Sequence, residues 1–159
     1  MTNLQALVSS YQHRAEQAAQ MDAVASQRKE RWLAELSELN DFVRNTLISV
    51  GVPEENIQNF DVGIQEERLG RYQARGLIVR IGDAEVRFTP VGSMLIGACG
   101  RVDVSSSSGR GITVKLVADA PSQVAPWTWA AYTERGHLGG TALDEDGLAK
   151  VLETVLGHR

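Results

Sequence analysis

Cysteine occurs once, at Cys99, so the chain can close no internal disulfide and offers no cysteine-based zinc site. Glycine and proline are absent from residues 1–50, which removes every strong helix breaker from the first third of the chain. No apolar run approaches the 18 to 20 residues, roughly, that cross a bilayer. Residues 1–20 lack the basic start and apolar stretch of a signal peptide, so a cytoplasmic setting is expected. Aromatic residues are scarce, at 6%. Basic charge is scarce too: the net charge is −4, no basic block stands out, and nucleic acid is not an expected partner. What basic charge exists is mostly Arg, thirteen of sixteen, which suits bidentate pairing with carboxylates.

What is present reads as an α+β protein. A long N-terminal helix is expected over 1–50, then an antiparallel meander of about five to six strands, then a short C-terminal helix. The second half of the helix should form one domain with residues 51–159. Thr2 and Gln5 have capping-box spacing at the helix start, and Gly51 with Pro53 marks its end. Apolar positions recur at alternating steps of four and three: Leu4, Val8, Tyr11, Ala15, Ala18, then Trp32, Leu36, Leu39 and Val43. Asp22 and Lys29 interrupt that seam. From Trp32 onward the stripe is wide, as for a helix docked on a core. From Leu4 to Ala25 it is narrow and rich in Ala, as for close approach to another helix in a coiled coil. At 1.5 Å per residue the helix would span about 75 Å, far beyond a body whose radius of gyration is about 13 Å. Either the first half pairs with another chain, or it folds back as a hairpin near Asp22–Lys29.

After Gly51 the period becomes two. Phe60, Val62 and Ile64 alternate with polar residues as a half-buried strand. Gly82-Asp83 is a two-residue II′ hairpin turn that sets Ile81 against Ala84, Arg80 against Glu85, Val79 against Val86 and Leu77 against Phe88. Its apolar face should be buried, with an Arg80–Glu85 ion pair on the other. Pro90-Val91-Gly92 should break the chain, Ser93–Val104 should supply one or two strands, and Ser105–Gly111 a flexible connector. Ile112–Ala118 and Trp127–Thr133 read as strands and 136–140 as loop. Asp144 is a helix N-cap, with Leu148, Val151, Leu152 and Val155 on the apolar face and Gly157 as the stop.

Four sets of residues carry the functional expectations. The seam of Leu4, Val8, Tyr11, Ala15 and Ala18 is the candidate oligomerisation element, and a homodimer is the simplest assembly. Trp127, Trp129, Tyr132 and Arg135 form the candidate ligand or partner surface, since aromatics and Arg carry binding energy where they gather. Against this, two Trp on one strand face, with Tyr132 on the other, more often anchor a core or sit beneath a covering helix. Ser107, Ser108, Gly109 and Arg110 could cradle an anion with backbone N–H groups, although the spacing is not that of a P-loop. Cys99 with His137 could pair as nucleophile and base, but Cys99 sits in an apolar run and reads as core. The acids Glu66-Glu67 read as solvated strand-end residues. The three His share no ligand spacing, so no metal and no cofactor is expected. The leading functional expectation is a non-enzymatic interaction or assembly module (accessory, regulatory or chaperone-like) acting through the N-terminal helix. The alternative is a small-ligand or nucleotide-binding module built on Trp127–Arg135 and Ser105–Gly111.

Overall fold

The computed structural model describes residues 2–93, 99–107, 111–122, 124–134 and 138–157. Its first element, α1 (Asn3–Ser49), is one unbroken helix of 47 residues, so the hairpin near Asp22–Lys29 does not form. The capping box is present: the Thr2 hydroxyl accepts from the Gln5 N–H at 3.2 Å, and the Thr2 N–H donates to the Gln5 side chain at 2.9 Å. A single turn of 3-10 helix, Glu54–Asn56, leads into the sheet.

Among the described residues seven strands follow in an antiparallel meander in which each pairs with the next: β1 (Ile57–Glu66), β2 (Gly70–Ile81), β3 (Ala84–Gly92), β4 (Gly100–Ser106), β5 (Val114–Asp119), β6 (Thr128–Tyr132) and β7 (Gly139–Ala142). The chain closes with α2 (Glu145–Leu156). Asp144 caps α2 by accepting from the Gly147 N–H at 2.7 Å, and Gly157 ends it in the left-handed region.

One face of the sheet is apolar and buried. Phe88, Val104, Val114 and Leu116 are 0–1% exposed, and both helices share a hydrophobic core with them. From α1 that core takes Trp32, Leu36, Leu39, Val43 and Leu47, and from α2 Leu148, Val151 and Val155. The other face carries Arg87, Asp103, Lys115 and Tyr132, exposed or half-buried.

The β2–β3 hairpin has the expected register, from Leu77↔Phe88 to Ile81↔Ala84. Gly82 has φ 63° while Asp83 does not share a positive φ, which is the II′ arrangement. Leu77, Val79, Val86 and Phe88 are buried, whereas Ile81 at the turn is only half-buried. The expected Arg80–Glu85 ion pair is replaced: Glu85 binds Arg87 at 2.9 Å instead. Both arginines lie on the outer face, Arg80 directly across from Glu85 and Arg87 two residues along its own strand.

Several boundaries differ from the expectation. β3 runs through Pro90, which pairs with Val102, and the register shifts between Pro90 and Gly92. Pairing with β2 has already ended at Phe88, so a residue without an N–H sits where one neighbouring strand is gone and the ladder is irregular. Ser105 and Ser106 belong to β4 rather than to a loop, paired with Arg87 and Val86. β5 begins at Val114, not at Ile112. The strand beyond the expected number is β7, four residues that include the Gly139-Gly140 stretch expected to be loop. Residues 94–98, including the expected bend at Gly97, lie outside the described residues.

β1 and β2 continue past the sheet as a two-stranded ribbon, paired without a break to Glu66↔Gly70. Along β2 the buried positions change phase: Ala74 and Gly76 in the first half, then Leu77 and Val79. Ala74, Leu77 and Val79 join the same core, so the ribbon must coil between them. Gly76 marks the place. A Cβ there would come within 2.4 Å of the Phe88 carbonyl oxygen and 2.5 Å of the Phe60 ring. The coil brings Tyr72 and Ala74 round to α1.

Candidate functional site: the helical arm and the tryptophan cluster

Residues 2–24 are exposed throughout, and Ala25 is the first buried residue of α1. The register that the body buries at Ala25, Trp32, Leu36, Leu39 and Val43 is the same seam that stands open further out. Leu4, Val8 and Tyr11 on it are 69%, 47% and 61% exposed, and Leu7 beside it is 54% exposed. Ala15 and Ala18 also lie open. The two polar interruptions of the seam are accounted for within the chain. Asp22 pairs with Arg68 at 3.3 Å, and the Lys29 ammonium lies 5.7 Å from the centre of the Tyr72 ring. Arg68, in the β1–β2 turn, holds a left-handed backbone at φ 68°. The tip of the ribbon therefore fastens to α1 at Asp22, and everything before it is a free arm. From Asn3 to Met21 that arm is about 28 Å long.

Where the helix meets the body, a polar cluster joins the ribbon to the β3 end. Glu66 accepts from the Tyr72 hydroxyl at 3.1 Å, from the Ser93 hydroxyl at 2.9 Å and from the Ser93 N–H. Ser93 is buried, and its carbonyl accepts from Arg28 of α1 at 3.4 Å. Burial, then the charge of Glu66, then its hydrogen bond push the Tyr72 phenol up to about 12. Sequence reasoning passed over Glu66 because an acid at a strand end is ordinarily solvated. Its only signal was Tyr72, the one aromatic in an otherwise polar stretch.

Trp127 and Trp129 meet Trp32 of α1, and all three ring centroids are 6.3 Å apart. Trp32 lies nearly parallel to Trp127, at 22°. Gly100 of β4 permits this, because a Cβ there would stand 2.5 Å from the Trp32 ring. Arg31 clamps the preceding loop by donating to the carbonyls of Ser122 and Ala125 at 3.0 and 2.6 Å, and Glu35 accepts from the Trp127 N–H at 3.3 Å. Trp127 is 9% exposed and Trp129 half-buried, so the pair first of all packs the sheet against α1. Beside them a groove of about 460 Å³ remains, walled by Leu39, Phe42, Trp129 and Leu143 with Glu35 and Glu38 at its side.

The residues expected to form one ligand surface are not brought together. Tyr132 is exposed on the opposite face from Trp129. It is level with Lys115, three residues along β5 from the Ala118 that pairs with Trp129, about 10 Å away. Ser107 is exposed, beyond the Val104↔Val114 end of the β4–β5 pair, and its N–H donates to the Glu85 carbonyl at 3.1 Å. The Ser/Gly loop thus leaves the sheet at the end remote from the tryptophans. Ser108, Gly109, Arg110, Arg135 and His137 lie outside the described residues. Cys99 is half-buried against the core, with its N–H donating to the Ala118 carbonyl. Among the described residues no three His, Cys, Asp or Glu side chains converge as a metal site, and no helix is long and apolar enough to cross a membrane. Comparison with protein-family models, with curated proteins and with solved structures finds no match to this chain.

Proposed function

We propose that this protein is a non-enzymatic interaction or assembly module, accessory, regulatory or chaperone-like, that associates through the arm of α1. One observation carries the reading: the arm projects from a finished core while Leu4, Leu7, Val8 and Tyr11 on it stand open. A lone helix of this length and composition is marginal in water, and cover over its apolar stripe is what would hold it. A like chain is the favoured cover, giving a homodimer. A single unpaired thiol fits a cytoplasmic setting. The test is the mass in solution of the wild-type chain and of the Val8→Glu/Tyr11→Glu variant. The wild type should be a dimer and the variant should have half its mass, with unchanged far-UV circular dichroism in the sheet region. Equal masses for the two would overturn the reading.

A second reading, small-ligand binding, is favoured by the groove beside Trp129, whose volume lies in the range of ordinary ligand sites. It would show as a saturable change in tryptophan fluorescence on titration with an apolar probe such as anilinonaphthalene sulfonate. Trp129→Leu should abolish that change.

A further inference from the structure

We infer that two copies of the chain lay their arms together antiparallel, so that the tip of each arm seats in a groove at the root of the other. The inference rests on the association reading above and adds the partner, the direction and the receiving site. Three observations support it.

The first is that the exposed apolar side chains of the arm form two patches, not one. Leu4, Leu7, Val8 and Tyr11 lie at the tip, while Met21 and Val24, 50% and 56% exposed, lie at the root. The root patch lines a groove of about 410 Å³ bounded by Gln20, Met21, Val24, Ala25, Arg28 and Arg68. Because Arg68 is fixed to Asp22, the ribbon tip forms one wall of that groove.

Size matching is the second. In a parallel pair each seam residue would meet its own copy: Tyr11 on Tyr11, Ala15 on Ala15, Ala18 on Ala18, Asp22 on Asp22. Large would crowd large, small would leave gaps, and two carboxylates would face each other. Turned antiparallel, with Leu4 level with Asp22 of the second copy, Val8 meets Ala18, Tyr11 meets Ala15, and Leu7 lies beside Met21. Large then faces small in the Val8–Ala18 and Tyr11–Ala15 layers, which is how helix layers interdigitate, and the Asp22 carboxylate, held by Arg68, is kept away from its own copy.

Length is the third. This register overlaps the arms from tip to root, about 27 Å from Leu4 to Asp22, and brings the tip patch up to Met21. A shorter overlap would leave Met21 in water. The pair closes by a two-fold axis, as most homodimers do.

Cross-linking tests direction and association separately. In a Cys99→Ser background the double variant Leu7→Cys/Met21→Cys is oxidised at micromolar concentration, beside each single variant. Both positions are exposed, so the fold should tolerate them. The antiparallel register puts Leu7 next to Met21 of the second copy, while like positions are separated by about 18 Å for Leu7 and about 24 Å for Met21. The double variant should therefore double its mass on a denaturing gel, and the single variants should stay at chain mass. Self-linking of Leu7→Cys alone, or a dimer in solution that the double variant fails to link, would overturn the antiparallel arrangement and leave the association reading standing. A wild-type chain that sediments as a monomer would overturn both.

Discussion

Tyr72 is where burial, the charge of Glu66 and its hydrogen bond outweigh the pull of Ser93 and Trp32 the other way. Its phenol, ordinarily near 10.0, is pushed up to about 12, first by burial and then by Glu66. The unfolded chain gives up this proton near pH 10 and the folded chain only near pH 12. The stabilisation is therefore complete below about pH 10 and is lost as pH rises through about 12, since the folded state binds the extra proton. In urea titrations the wild-type midpoint should fall across that window. Tyr72→Phe should cost about 1 kcal/mol at neutral pH and fall less steeply there. Superimposable slopes would mean that Tyr72 does not control that loss. Gly76 poses the opposite problem, too little room. Gly76→Ala should destabilise by about 1–3 kcal/mol, because the obstacle includes the backbone carbonyl of Phe88, which cannot rotate away as a side chain can. Chemical denaturation reads it directly, and a neutral result would show that the ribbon does not coil there. Neither residue declared itself in the sequence. Glu66 and Tyr72 meet across the β1–β2 hairpin, but Ser93, 27 residues beyond Glu66, reaches it only through tertiary folding.

At the scale of elements, legibility followed how local the causes were. The β2–β3 hairpin could be read to the residue because a two-residue turn and a strict alternation agree within twelve positions. Both α1 caps and the α2 N-cap are likewise settled by neighbours in sequence. The hairpin makes its own prediction. Phe88→Ala should cost about 3–5 kcal/mol and Arg80→Ala less than about 1, measured by thermal unfolding. Equal losses would place the wrong face inward. Where the causes are tertiary the reading failed. β7 is four residues that, among the described residues, pair with β6 alone, and residues 70–76 alternate only weakly, because the inward positions hold Tyr72, Ala74 and Gly76 rather than large aliphatic residues. Pro90 looked like a stop because nothing in the sequence says that one neighbouring strand has already left. The aromatic stretch from Trp127 to Tyr132 was visible, and so was a covering helix over its two tryptophans, but not that Trp32, nearly a hundred residues earlier, would be the residue that meets them.

For the whole molecule the main question is whether stability depends on concentration. If association covers the arm, the unfolding temperature of the wild type should rise with protein concentration, because a partner that binds only the folded chain adds stability by mass action. The Val8→Glu/Tyr11→Glu chain should show no such dependence. Flat curves for both would leave the arm without a role in self-association. The strand order has a further consequence, for how the protein is made. Each strand pairs with its sequence neighbour, so the sheet can assemble hairpin by hairpin as it emerges from the ribosome. The helix that covers it emerges first. At ordinary elongation rates Trp32, Leu36 and Val43 wait roughly 5–20 s for the last strands and α2 to be synthesised. Until then the apolar stripe of the future helix has no sheet to cover it, and its fate depends on what it meets before its own core arrives.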